Sequence, residues 1–166
     1  MKISVLLPNT AMGGAEKLHF NLIDDWLKRD FDVELIVLFD LPSRSKDDAI
    51  SLLNPKCKVR YLHLTKFRHS LFSLIRFFRS NQDDIILAPM WPLTCISIMA
   101  WLLSGSKAKL FISEHTNITA SFLNETKTNL FLIRLSQFCL YSFASGIIAV
   151  SKGVQDDIAQ LAKIST

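Results

Sequence analysis

Short apolar runs alternate along the chain with longer segments whose apolar residues recur at helical spacing. Continuous runs of Val, Ile, Leu and Phe between polar turns are typical of strands buried on both faces of a parallel sheet. The segments between them are typical of helical crossovers. The pattern predicts six strands, at Ile3 to Leu7, Val33 to Phe39, Val59 to Leu62, Ile85 to Ala88, Leu110 to Ser113 and Ile147 to Val150.

The first crossover is the clearest amphipathic helix. From Gly14 to Arg29, charged residues fall largely on one side, and the other carries an apolar stripe made of Leu18, Leu22, Ile23 and Trp26. Apolar spacing of the same kind predicts further helices at Asp47 to Leu53, Ser70 to Ser80, Leu93 to Leu103, Glu125 to Phe143 and Val154 to Ala162.

Short loops and right-handed crossovers constrain how these elements assemble. They favour an α/β fold with three layers, a Rossmann-like, doubly wound parallel sheet of strand order 3-2-1-4-5-6. In such sheets ligands bind beyond the carboxyl ends of the strands, where the order reverses between strands one and four. This rule selects the loops that follow Leu7, Ala88 and Ser113.

Composition narrows the class of protein. The 166 residues suit a single domain, and 49% hydrophobic with 20% charged residues excludes disorder. A net charge of +4 suits a phosphate-bearing ligand or an anionic membrane without indicating nucleic acid. Three unpaired, widely spaced cysteines predict neither disulfides nor a metal site, and the absence of a signal peptide or a ~20-residue apolar span predicts a cytoplasmic protein.

The loop from Pro8 to Gly14 joins the first strand to the first helix at the predicted crevice. Backbone N–H groups at a helix N-terminus bind anions, and Gly13 and Gly14 would let a phosphate approach the backbone closely. A plain strand-to-helix turn explains the glycines equally well. A dinucleotide site, with Asp40 holding a ribose, is disfavoured because the loop lacks the G-x-G-x-x-G spacing.

Three segments in order resemble retaining GT-B glycosyltransferases of the family 4 type. They are the segment from Gly13 to Leu22 with its Gly-Gly-Ala-Glu-Lys opening, the segment Ser113-Glu114-His115-Thr116-Asn117, and Ile148 to Val154 with its Val-Ser-Lys-Gly-Val sequence. The resemblance covers the N-terminal half of the GT-B fold. It implies transfer of a sugar from a nucleotide sugar to a glycan or lipid-linked acceptor in cell-envelope polysaccharide synthesis, with no cofactor and no metal.

The same resemblance implies a second domain that would hold most of the donor. That domain's Glu-x7-Glu pair is missing, since no two of the glutamates Glu16, Glu34, Glu114 and Glu125 are eight residues apart. We therefore expect residues 1–166 to form a single acceptor-side domain, without the C-terminal nucleotide-sugar-binding domain. The chain alone is expected to be inactive.

Carried over motif by motif, the resemblance assigns candidate site residues. The amides of Gly13 and Gly14 would face the donor pyrophosphate, and His115 is the candidate catalytic residue beside the transferred sugar. Asn117 would flank it in the substrate site. Glu114 would orient His115 or meet an acceptor hydroxyl, although loop glutamates are commonly just solvated. Ser151 would contact substrate or cap the last helix.

Two further features leave alternatives open. Met90 and Trp91 would line an acceptor groove or pack under the missing domain. A stripe with Phe72 at its centre would rest on anionic lipid at the inner face of the cytoplasmic membrane, or would be a solvated helix face, and its basic members are Arg68, His69, Arg76 and Arg79.

Two rival functions fit the same sheet. One is a non-enzymatic binding or interaction domain in which the glycines and His115 are structural. The other is a nucleotide-dependent enzyme of flavodoxin-like or dinucleotide type.

Overall fold

Six parallel strands form one sheet in the computed structural model, which describes residues 1–11, 13–40, 52–117, 119 and 130–162. The strand order is 3-2-1-4-5-6, as the sequence predicts. The strands are β1 (Lys2–Leu7), β2 (Asp32–Phe39), β3 (Lys58–Leu64), β4 (Ile85–Pro89), β5 (Lys109–Glu114) and β6 (Gly146–Ala149).

The order reverses at the centre of the sheet. Strand β1 pairs with β2 on one side, from Lys2 opposite Asp32, and with β4 on the other, from Ile3 opposite Ile85. All pairings are parallel, so the carboxyl ends of β1, β4 and β5 reach the same edge. The predicted crevice therefore lies where the loops after these three strands begin.

Five α-helices are described, and they agree with the predicted crossovers. Two short 3₁₀ turns accompany them, Phe67–His69 before the second helix and Tyr141–Phe143 after the fourth. Most of the helix predicted at Asp47 to Leu53, and residues 125–129 of the one predicted at Glu125 to Phe143, lie outside the described residues. The helices are α1 (Gly14–Lys28), α2 (Ser70–Ser80), α3 (Leu93–Ser104), α4 (Leu130–Leu140) and α5 (Lys152–Ala162).

Alternate residues of the central strands enter two separate cores. One face of the sheet packs under α2, α3 and α5, with Leu6, Ile36 and Ile86 among its fully buried members. The other face packs under α1, where Val5 and Leu35 meet Phe20 and Ile23. Burial of both faces explains why the strands read as unbroken apolar runs, and it confirms three layers.

Helix α1 buries a different stripe from the one that the sequence predicts. Its buried residues are His19, Phe20 and Ile23, whereas Leu18 is 42% exposed and faces away from the sheet. The prediction for Leu18 is wrong because apolar periodicity counts only apolar residues as buried. It therefore assigns the core position to Leu18 and not to the polar His19. Buried His19 has two polar partners, one in α1 itself and one on β5, which are described below.

No helix in the described part of the chain is long and apolar enough to cross a bilayer.

Two substitutions on α2 should separate its faces. Leu74 is fully buried, so Leu74→Ala should lower the free energy of unfolding by about 2–5 kcal/mol, the usual cost of a cavity in a packed core. Phe72 is 75% exposed, so Phe72→Ala should change it by less than about 0.5 kcal/mol. Urea denaturation of both variants measures the difference; equal losses would contradict the orientation of this helix.

Candidate functional site

Hydrogen bonds join β5 to α1 and to the loop after β4 at the carboxyl edge of the sheet. The Met90 N–H, directly after β4, donates to the Ser113 carbonyl at 2.8 Å. Helix α1, which follows the glycine loop, places its buried His19 against the Ser113 hydroxyl. His115 is the first residue beyond β5. The structure thus brings together the three connections that the sequence selects.

A chain of three polar side chains lies at the centre of this edge. Nδ1 of His19 is 2.7 Å from the Ala15 carbonyl oxygen, one helical turn earlier, and Nε2 is 3.3 Å from Oγ of Ser113. The same Oγ is 3.2 Å from Nε2 of His115. The two rings are 5.0 Å apart between centroids, at an interplanar angle of 55°.

Burial keeps both imidazoles neutral at physiological pH. Removal from water lowers the pKa of His19. It also lowers the pKa of the half-buried His115, with a smaller repulsive contribution from His19, to about 4. A neutral imidazole donates one hydrogen bond and accepts another, but it carries no positive charge that would attract a phosphate.

Glu114 is neither in a loop nor solvated. It ends β5, is 2% exposed, and accepts hydrogen bonds from the Trp91 N–H at 3.3 Å, the Thr94 hydroxyl at 3.1 Å and the Tyr141 hydroxyl. Burial raises its pKa, and these three donors oppose the rise. The solvated alternative is therefore wrong, because the carboxylate joins β5 to the start of α3 and to the turn after α4. No contact with His115 is described, and direct substrate contact stays a prediction.

The N-terminus of α1 uses one of its two glycine amides internally. The Gly13 N–H donates to the Ala11 carbonyl at 2.9 Å, while the Gly14 N–H has no hydrogen-bond partner among the described residues. Gly13 occupies the N-cap position of this helix and has no side chain with which to cap it. Glu16 folds back over the turn, since a Cβ added to Gly13 would lie 2.5 Å from its Oε2. Gly14 is accordingly the better placed of the two to meet an anion.

Asn117 and Ser151 lie beside the start of α5. The Asn117 amide donates to the Gly153 carbonyl at 3.3 Å, which links the loop after β5 to this helix. The Val154 N–H donates to the Ser151 hydroxyl at 3.3 Å. The capping role of Ser151 is confirmed, and the substrate contacts of both residues stay predictions.

Trp91 is half-buried and packs within this domain, and its place in an acceptor groove stays a prediction. Its indole N–H donates to the Ser136 hydroxyl at 3.3 Å, and its ring packs against Ile133 and Leu161.

Asp40, the residue that a dinucleotide ribose would need, pairs with His63 at 2.6 Å. Within the described residues, no three His, Cys, Asp or Glu side chains are grouped to hold a metal ion.

The basic stripe on α2 and the turn before it is exposed along its length. Among the residues that the structure describes, Phe72 is the most exposed large apolar side chain, at 75%. Four basic side chains lie on the same surface, Arg68, His69, Arg76 and Arg79. Arg79 also donates to the Leu103 carbonyl at 3.0 Å, near the end of α3. Arg68 donates to Nε2 of the adjacent His69 at 3.4 Å, so Arg79 differs from it in bonding to another helix.

Sequence reasoning missed His19, Ser113 as a bridging group, and Tyr141. His19 lies on the same helical face as Phe20 and Ile23, and a polar residue at such a position signals a buried partner. The partner lies 94 residues away, so only the fold identifies it. Tyr141 is 1% exposed and sits among residues that the sequence marks only as apolar.

Comparisons with known proteins agree with this architecture. The profile of Glycosyltransferase Family 4 matches residues 12–166. A solved structure of a lipopolysaccharide outer core galactosyltransferase, WaaB in its apo form, superposes with a TM-score of 0.72 at 16% identity, over 99% of this chain and 43% of that one. This chain thus spans less than half of the galactosyltransferase that it resembles. A search of curated protein sequences finds no significant match.

The depressed pKa of His115 should appear as a pH-dependent loss of stability. The unfolded chain protonates this ring near pH 6.5 and the folded chain only near pH 4, so its contribution to stability falls as the pH drops from 6.5 toward 4. His115→Asn removes that loss. As the pH is lowered from 7 to 4.5, the free energy of unfolding of His115→Asn should therefore increase relative to that of wild type. Urea denaturation at both pH values measures this difference.

Phe72→Ala provides the control. This variant removes an exposed side chain without an ionisable group, so its difference from wild type should be the same at both pH values. A difference between His115→Asn and wild type that does not change with pH would contradict burial as the cause.

Proposed function

The chain belongs to glycosyltransferase family 4, and from this premise we propose that it is the acceptor-side half of a retaining, nucleotide-sugar-dependent enzyme. The proposed acceptor is a glycan or lipid-linked glycan of the cell envelope, a class that includes the lipopolysaccharide named for the structural relative. The observation that carries the proposal is the His19–Ser113–His115 chain at the carboxyl edge of the sheet, one loop away from an uncapped helix N-terminus.

The start of α1 is the proposed contact for the donor pyrophosphate. Its helix dipole favours an anion, and so does the Gly14 N–H, for which the described part of the chain offers no hydrogen-bond partner. The leaving nucleoside diphosphate gains negative charge in the transition state. Donors fixed in advance at that position stabilise the charge without reorganisation.

His115 is proposed to contact the sugar rather than the diphosphate. Its ring is neutral at physiological pH, which suits hydrogen bonding to a hydroxyl and gives no Coulombic attraction to a phosphate. A bond to a hydroxyl would hold the sugar so that its anomeric carbon faces the acceptor on the reacting side. Positioning of this kind lowers the barrier by removing rotational freedom before reaction.

A second domain is proposed to complete the donor site. The chain corresponds to 43% of the galactosyltransferase structure, and the glycine loop by itself offers few contacts to a nucleotide base. We expect residues 1–166 alone to bind nucleotide sugars weakly and to transfer no sugar. No metal or cofactor is included in the proposal, and the nucleotide sugar is a co-substrate.

Titration of the chain with UDP, followed through the Gly14 amide by NMR, tests the donor contact. UDP and UDP-galactose should shift this amide, whereas uridine should not. Glu16→Gln removes a negative charge beside the helix N-terminus and should tighten UDP binding about 2- to 5-fold, since such charges are worth about 0.3–1 kcal/mol.

Asp25→Asn is the matched control, because it removes the same charge from the opposite end of α1 and should leave UDP affinity unchanged. An unshifted Gly14 amide at saturating UDP would favour the interaction-domain alternative. Tight binding of FMN or NAD⁺ would favour the nucleotide-dependent alternative.

Peripheral contact with anionic lipid is a second part of the proposal, and the exposed stripe around Phe72 supports it. Each cation near an anionic surface contributes about 1 kcal/mol. Arg68→Glu combined with Arg76→Glu should therefore weaken co-sedimentation with phosphatidylglycerol vesicles by at least about 30-fold.

Lys17→Glu combined with Lys56→Glu makes the same change in net charge on exposed residues elsewhere and should have little effect. Vesicles of phosphatidylcholine should bind none of the proteins. An equal loss of vesicle binding in both double variants would show a general charge effect. It would contradict the proposal that the stripe around Phe72 is the membrane-binding surface.

A further inference from the structure

Three hydrogen bonds at the carboxyl edge of the sheet fix the direction in which protons are donated. The Ala15 carbonyl can only accept, so Nδ1 of His19, 2.7 Å away, carries the proton of that ring. A neutral imidazole has one N–H, and Nε2 of His19 is therefore an acceptor. Its partner at 3.3 Å, the Ser113 hydroxyl, must be the donor.

The direction of the hydrogen bond from Ser113 to His19 also determines which nitrogen of the His115 ring carries a proton. The Ser113 hydroxyl has one proton, and it is already given to His19. Its oxygen can thus only accept from Nε2 of His115, 3.2 Å away, so the proton of the His115 ring is on Nε2. Nδ1 of His115 is left with a lone pair, and it has no hydrogen-bond partner among the described residues.

We propose that His19 is a positioning residue that acts through Ser113 to fix His115 as the Nε2–H tautomer, so that Nδ1 of His115 receives a donor group from the ligand. Buried His19 touches no ligand itself. A sugar hydroxyl can donate to this nitrogen, and an ionised phosphate cannot. The identity of the ligand rests on the function proposed above, whereas the tautomer depends on this chain alone.

This assignment gives α1 a second role in the site. The helix presents its N-terminal amides at one end and, five residues after Gly14, supplies the acceptor that orients His115. The same rigid element would therefore set both the pyrophosphate contact and the hydrogen-bonding polarity of the sugar contact. A shift of α1 along the sheet would change both at once.

Two-bond ¹H–¹⁵N NMR spectra of the chain, recorded at neutral pH without ligand, test the assignment. The chain has four histidines, so each ring can be assigned by single substitutions. Wild type should show His19 protonated on Nδ1 and His115 on Nε2 alone. The chain unfolded in urea should show a mixture of tautomers for every ring and serves as the reference.

Ser113→Ala should convert His115 to a mixture of tautomers like that of the unfolded chain. Ser4→Ala removes another buried strand hydroxyl, one without a hydrogen-bond partner, and should leave His115 unchanged. His19→Leu should act like Ser113→Ala, whereas His19→Gln, whose amide oxygen replaces the Nε2 acceptor, should restore the single Nε2–H form.

A His19 ring protonated on Nε2, or a His115 tautomer that is unchanged in Ser113→Ala, would overturn the proposal. Should His19→Leu fail to fold, Ser113→Ala still decides between the outcomes. Failure of UDP to bind would count against the proposed function without altering this result.

Discussion

Burial of both faces of a parallel sheet is the constraint on which the rest of this structure depends. Parallel strands need crossovers, the crossovers place helices on the two faces, and the faces must then be apolar. The strand ends are then the part of the sheet most open to polar chemistry. In this chain the ends of β1, β4 and β5 meet next to the point where the order reverses, and the polar residues His19, Ser113 and Glu114 are buried there.

The sheet could be predicted from the sequence because its signal is local. Each strand is a short apolar run, and the order follows from crossovers whose handedness is almost invariant. The site was predictable only where a residue follows a strand directly, as His115 does. Roles that depend on pairing across the fold were not visible, because the partner of His19 is 94 residues away and that of Glu114 at Tyr141 is 27 residues away.

Local chemistry also explains the errors. Apolar spacing predicts Leu18 in the buried stripe because it ranks leucine above histidine, yet a histidine with two hydrogen-bond partners can be buried at little cost. The sequence predicts Glu114 in a loop because a carboxylate is rarely buried, whereas here three donors surround it. In both cases a polar group enters the interior when the fold supplies its partners.

The buried carboxylate of Glu114 has a consequence for the residue that follows it. His115 is separated from Glu114 by one peptide bond, and the strand that ends at Glu114 cannot shift without breaking bonds to Trp91, Thr94 and Tyr141. The backbone that carries the imidazole is therefore ordered when the chain folds. A ligand arriving at this edge meets a preorganised partner, so little conformational entropy is lost at His115 on binding.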